Sequence, residues 1–131
     1  MIDFRELRPG NYLQGKPISI PKMGWHGDGT TRITSYGIYM LEENTELDYN
    51  PIPLTEEWLI KFGFRQDFTY KYRWAIGTFV IHLMMVDSEN EKLAYHLALD
   101  YGQMLRKPIF SVHQLQNLYY SLTGKELEIK Q

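Results

Sequence analysis

Two stretches of this chain set apolar side chains at helical spacing and bracket them with residues that start and stop helices. In Phe110 to Gly124 (FSVHQLQNLYYSLTG), Val112, Leu115, Leu118, Tyr119 and Leu122 recur at intervals of three and four, which predicts a helix over about 112–123. Ser111 can cap its first turn and Gln114, three residues on, can reach back to the Ser111 backbone, the capping-box arrangement, with Phe110 and Leu115 at staple positions. The same grammar predicts a helix over about 55–62. Thr55 stands at its cap, Leu54 and Leu59 at staple positions, Trp58, Leu59 and Phe62 on one face, and Gly63 where a left-handed residue ends it.

Elsewhere the pattern is that of short strands. Pro9-Gly10 reads as a turn, followed by strand candidates at Tyr12-Leu13 and Pro17 to Ile20 and a Gly-rich loop from Gly24 to Gly29. Arg32 to Leu41 alternates, with Tyr36, Ile38 and Met40 on one side and Tyr39 and Leu41 on the other, and is expected to be a strand. Arg73 to Val86 reads as a hairpin turning near Ile76-Gly77. Residues 93–106 satisfy both periods: Leu93, Tyr95, Leu97 and Leu99 alternate, while Leu93, Leu97, Tyr101 and Met104 keep helical spacing. The strand is preferred because Asp100-Tyr101-Gly102 resembles a hairpin turn. The expected class is α+β: a small curled antiparallel sheet or partly open barrel of short strands, with the two helices packed against it. One domain over 1–131 is expected, with residues 42–53 as its only plausible seam.

Composition agrees with a packed core. A chain of 131 residues buries roughly two thirds of its unfolded surface, and 44% hydrophobic content with 15% aromatic supplies the bulk. The absence of Cys excludes disulfides, a thiolate nucleophile and Cys-ligated zinc. The opening MIDFRELRPGNYL lacks the apolar run of a signal peptide, and no stretch approaches the ~20 apolar residues of a membrane span, so a cytoplasmic protein is expected. The net charge of −2 gives no general attraction to polyanions. It is unevenly spread: residues 1–35 carry five basic against three acidic groups, and 36–69 two against seven, of which Glu56 and Glu57 suit the positive end of the predicted helix.

Candidate chemistry is sparse. Pairing of the strands around Ser88 to Asn90 places His82 and His96 side by side opposite the core-facing residues, on a solvated or partner-covered face, but a metal needs a third ligand and Asp100 is too far along the strand. Trp25-His26-Gly27-Asp28 offers His and Asp two apart, yet it has neither the glycine spacing nor the Lys-Ser/Thr ending of a phosphate loop and reads as a turn. No G-x-S-x-G elbow occurs. No catalytic, metal or cofactor constellation is therefore assigned. The polar face of the C-terminal helix, His113, Gln116, Asn117 and Tyr120, is amide-rich and nearly uncharged, which points to burial against the protein's own sheet or against a partner.

The run VHQLQNLYYSLTGKELEI, with the opening ELRPGNYL and the middle PIPLTEEWLIKFGF, resembles a family of short bacterial proteins found in prophage and mobile-element neighbourhoods. Members commonly read LYFAL where this chain has Leu118-Tyr119-Tyr120-Ser121-Leu122. The resemblance implies an accessory protein and brings no catalytic residues with it. The leading expectation is a non-enzymatic interaction module that binds a protein partner or itself. A second is nucleic-acid binding by the N-terminal segment, where Arg5, Arg8, Lys16, Lys22 and Arg32 would follow phosphates and Tyr12, Trp25, Tyr36 or Tyr39 would stack on bases. A third, the least favoured, is a small metal-dependent hydrolase using His26, Asp28, His82 or His96.

Overall fold

A computed structural model describes residues 3–15, 30–43, 49–87, 89, 92–98 and 107–130. They form two antiparallel sheets, of two and four strands, and three α-helices, an α+β fold in which neither sheet closes into a barrel. The chain divides into two compact units, Met1–Pro53 with Ser111–Glu126, and Leu54–Phe110 with Leu127–Gln131. The first crossing, at Pro53-Leu54, lies at the end of the stretch 42–53. No described helix is long and apolar enough to cross a membrane.

In the first unit a single 3-10 turn, Phe4–Glu6, starts from Asp3, whose carboxylate accepts the Arg5 N–H at 2.9 Å. Strand β1 (Tyr12–Gln14) pairs with β2 (Thr30–Arg32), Leu13 opposite Thr31, and Gln14 also bridges Asn50. Leu7, Leu13, Ile33 and Tyr49 form the core, with Phe4 and Ile38 packed on it. The expected strand Pro17 to Ile20 and the Gly-rich loop lie outside the described residues.

The expected strand over Arg32 to Leu41 is not formed. Pairing stops at Arg32, and from Ser35 the chain is helix α1 (Ser35–Glu43). The reason is local: Thr34 accepts the Gly37 N–H on its hydroxyl at 3.1 Å and the Ile38 N–H on its carbonyl at 3.0 Å, which closes the first turn. Once helical, Tyr36 and Tyr39 fall on one outward face, 51% and 54% exposed with ring centroids 6.4 Å apart, while Ile38 turns to the core.

Helix α3 (Val112–Thr123) ends this unit. Its capping box is complete, Ser111 Oγ accepting from Gln114 N and the Gln114 side chain accepting from Ser111 N, and Gly124 at φ 73° closes the other end. Its buried face is rotated from the apolar stripe. Val112, His113, Leu115 and Gln116 are inside, whereas Leu122 is 58% exposed.

In the second unit, helix α2 (Glu56–Phe62) buries Trp58, Leu59 and Phe62. Thr55 holds its N-cap position without a side-chain cap bond, so here the expected cap is one of backbone only. Gly63, at φ 94°, ends the helix; a Cβ there would be strained and would meet Lys130 Cγ at 3.2 Å. The Lys130 N–H donates to Lys61 O, tying the C-terminal segment to the helix end.

The four-stranded sheet runs β3 (Arg65–Gln66), β4 (Arg73–Ile76), β5 (Phe79–Asp87), β6 (Lys92–Leu97) in that order. The β4–β5 hairpin turns at Gly77 as predicted, and 92–97 is strand, resolving the ambiguity of that stretch in favour of the period of two. The turn at Asp100 to Gly102 lies outside the described residues. Register places Trp74, Ile81 and Leu97 in line on one face, all buried, and Phe64 meets Phe79 edge-on at 6.1 Å.

The two helix starts make a contrasting prediction. Ser111→Ala removes a buried capping hydroxyl and is expected to lower stability by about 1–2 kcal/mol, whereas Thr55→Ala removes no cap bond and is expected to shift the urea midpoint little; equal losses would contradict the two cap geometries.

Candidate functional site

Two places concentrate polar and aromatic chemistry, one in each unit. The first lies between α3 and the segment leading into β1. Gln116, fully buried, accepts the Tyr12 N–H at 2.8 Å and donates to Gly10 O at 2.9 Å. Asn117 accepts from the Asn11 amide at 2.9 Å and from Arg8 Nη1 at 3.3 Å, and donates to Glu6 O at 2.7 Å. Asn11, also fully buried, accepts the Arg8 N–H on its side-chain oxygen at 2.7 Å. The helix face thus reads the backbone of residues 6–12 through side-chain amides. Tyr120 is 41% exposed, with the Arg8 guanidinium 3.7 Å above its ring, and Arg8 also pairs with Glu126.

His113 completes this seam. Its Nε2 lies 3.4 Å from a Glu6 carboxylate oxygen and its Nδ1 3.2 Å from Ser111 Oγ. The tautomer that satisfies both carries the proton on Nε2, donating to Glu6, and accepts the Ser111 O–H on Nδ1. A Ser, a His and a carboxylate in a row are the elements of a hydrolytic triad. Here, however, Ser111 is the helix cap and His113 is only 1% exposed, so no substrate carbonyl can approach the hydroxyl without unseating the start of α3. Burial pushes the imidazole below the ordinary histidine range, outweighing the opposite pull of Glu6.

The other expected site residues are scattered. Arg5 forms a two-point pair with Asp3, at 3.1 Å through both its Nε and its Nη2, and Arg32 donates to Gly10 O while lying 5.5 Å over Tyr12, itself buried. Lys16, Lys22, Trp25, His26 and Asp28 lie outside the described residues. His82 and His96 are directly paired across β5 and β6, as expected, but that face is not open: His96 is 8% exposed. Among the described residues no three His, Asp or Glu side chains gather around a common point for a metal ion.

The second place was not singled out from the sequence: the turn joining β3 to β4 within Arg65-Gln-Asp-Phe-Thr-Tyr-Lys-Tyr-Arg73. Asp67 Oδ1 accepts the N–H groups of Thr69 at 2.8 Å and Tyr70 at 2.9 Å. Those bonds hold its carboxyl below the usual carboxylate range. Asp67 N donates to Arg73 O, Arg73 N to Tyr70 O, and the Gln66 amide to Lys71 O, so the turn's backbone is pinned at both ends. Its side chains point outward: Phe68 is 99% exposed, Tyr70 51% and Tyr72 47%. Tyr70 and Tyr72 meet at 5.7 Å, and Tyr72 stands edge-on to His82 at 5.2 Å. Burial and the neighbouring Arg73 push His82 below the ordinary histidine range, which favours its uncharged form. Arg65 and Lys71 are exposed, and among the described residues neither they nor Arg73 reaches a carboxylate within salt-bridge distance. The sequence signal was there to be found, in the alternation of aromatic and basic residues behind an Asp that favours a turn.

The polar seam makes two predictions. Gln116→Leu removes the side-chain acceptor of the Tyr12 N–H and one of the two side-chain donors to Gly10 O, the other being Arg32, and a loss of roughly 1–3 kcal/mol is expected in denaturant unfolding. Because His113 takes its proton at lower pH when folded than when unfolded, the unfolded chain binds more protons below about pH 6.5 and stability falls as the solution is acidified from there. His113→Gln is expected to flatten part of that fall between about pH 7 and pH 5; an unchanged slope would remove His113 from the account. Comparison of the chain with protein-family models, with curated proteins and with solved structures finds no match.

Proposed function

We propose that this chain is a non-enzymatic interaction module that holds a partner macromolecule on the β3–β4 turn, in keeping with the accessory role implied by its C-terminal motif. The observation that carries this reading is the phenyl ring of Phe68, 99% exposed on a turn whose backbone is fixed by Asp67. A single exposed apolar residue is ordinary. Three exposed aromatic rings within five residues are not, since the turn itself requires only the Asp67 acceptor and small or polar companions. Covering a ring of that size removes apolar surface from water and is favourable by about 1.5–3 kcal/mol, and a turn already rigid loses little entropy in the act. The amides of Gln116 and Asn117 are engaged within the first unit, which leaves the turn as the stronger surface for contact.

The test is photo-crosslinking in the native cell with a diazirine amino acid in place of Phe68, and in place of the exposed Leu122 as control. A discrete adduct is expected at position 68, weakened by Tyr70→Ala. If position 68 gives no adduct above the level at 122, the turn is not a contact surface.

A further inference from the structure

We propose that the partner held by the β3–β4 turn is single-stranded nucleic acid, its unstacked bases lying on Phe68, Tyr70 and Tyr72 and its phosphates on Arg65, Lys71 and Arg73. This rests on the turn being a contact surface, and it goes further in naming the occupant by its charge. Residues 65–73 carry, with the three rings, three cations and one carboxylate, and that carboxylate, Asp67, accepts the backbone N–H groups of Thr69 and Tyr70 and also interacts with Arg73. What faces solvent is therefore aromatic and positive together. Lys is depleted from the core of protein–protein contacts, and each cation buried there, Arg included, needs an anionic partner. A single strand supplies a flat ring and an anion with every nucleotide, which meets both features at once.

Geometry favours a single strand over a duplex. Phe68 is almost wholly exposed and has no aromatic neighbour among the described residues, so a base can lie flat on its ring. In a duplex the base faces are already stacked and out of reach. Tyr70 and Tyr72 are in contact with each other, and Tyr72 is braced edge-on against His82. Burial and Arg73 disfavour a charge on His82, so attraction to phosphate rests on the three cations. With the chain as a whole at −2, attraction at this surface is local and is screened within about 10 Å at 0.1 M salt.

The experiment is fluorescence anisotropy of labelled 12-nucleotide single strands of mixed sequence, as RNA and as DNA, and of the matching duplexes, with the full chain at low salt. Both single strands are expected to bind, and the duplexes more weakly. Phe68→Ala and Tyr70→Ala are each expected to weaken single-strand binding by about tenfold. Lys71→Gln combined with Arg73→Gln is expected to lower affinity and to reduce the slope of log affinity against log salt by about 1.4. Circular dichroism and urea midpoints show whether each variant keeps its fold, and Tyr70→Phe, which retains the ring, is expected to bind as the parent chain does. Absence of single-strand binding, equal duplex binding, or Phe68→Ala binding as tightly as the parent overturns the proposal. If single strands fail to bind while the position-68 adduct persists and is digested by protease but not nuclease, the partner is a protein. If they fail and the chain sediments with anionic vesicles in a Phe68-dependent way, it is a lipid surface. In both cases the contact surface stands and the nucleic-acid assignment falls; with no adduct either, both readings fall.

Discussion

The first unit is held together by one buried side-chain amide. Gln116 satisfies the N–H of Tyr12 and the carbonyl of Gly10 from a position without solvent exposure, linking residues more than a hundred apart in sequence. A buried backbone group left unpaired costs about 1–3 kcal/mol, so the first strand can sit beneath α3 only where such an amide meets it. Asn117 and Asn11 extend the same logic to Glu6 and Arg8, and Arg8 then covers Tyr120. The arrangement is a substitute for a third strand: a helix supplies, from side chains, the donors and acceptors that a sheet neighbour would supply from backbone. The buried imidazole of His113 belongs to the same seam and makes it sensitive to acid.

The second unit keeps its hydrogen bonds in a sheet and places its unusual side chains where the sheet does not need them. Trp74, Ile81 and Leu97 lie on one buried face, and the cross-strand line Arg73, His82, His96 lies on the other, where His96 is buried too. At the end of that line the Asp67 turn carries Phe68, Tyr70 and Tyr72 into solvent. Aromatic side chains exposed there contribute nothing to the core. Their cost is tolerable because the turn is fixed by backbone N–H and C=O groups and the Asp67 carboxylate, not by the rings at 68, 70 and 72. The bonds that fix the turn are thus distinct from the side chains it exposes.

Local rules were enough wherever the determining atoms are close in sequence. The capping box at Ser111 and Gln114, the left-handed Gly63 and Gly124, and the hairpin at Gly77 are all contacts within a few residues, and each was readable. Residues 32–41 failed because alternation and helical spacing coexist there, and the hydroxyl of Thr34 decided between them. The polar face of α3 was readable as unusual, being rich in amides, but its burial depends on a strand a hundred residues away. The turn at 65–73 is legible in composition alone, since exposure cannot be read from residue type.

By itself, then, the sequence determined the class, the two capped helices, the hairpin and the pairing of His82 with His96, because propensity, capping and the period of two act over short distances. Only the tertiary structure decided which polar side chains are internal and which aromatic ones are external. Gln116 is inside because backbone partners converge on it, and Phe68 is outside because it sits in the turn that Asp67 closes. Burial is a property of what surrounds a residue, and those surroundings are assembled from segments that sequence order keeps apart.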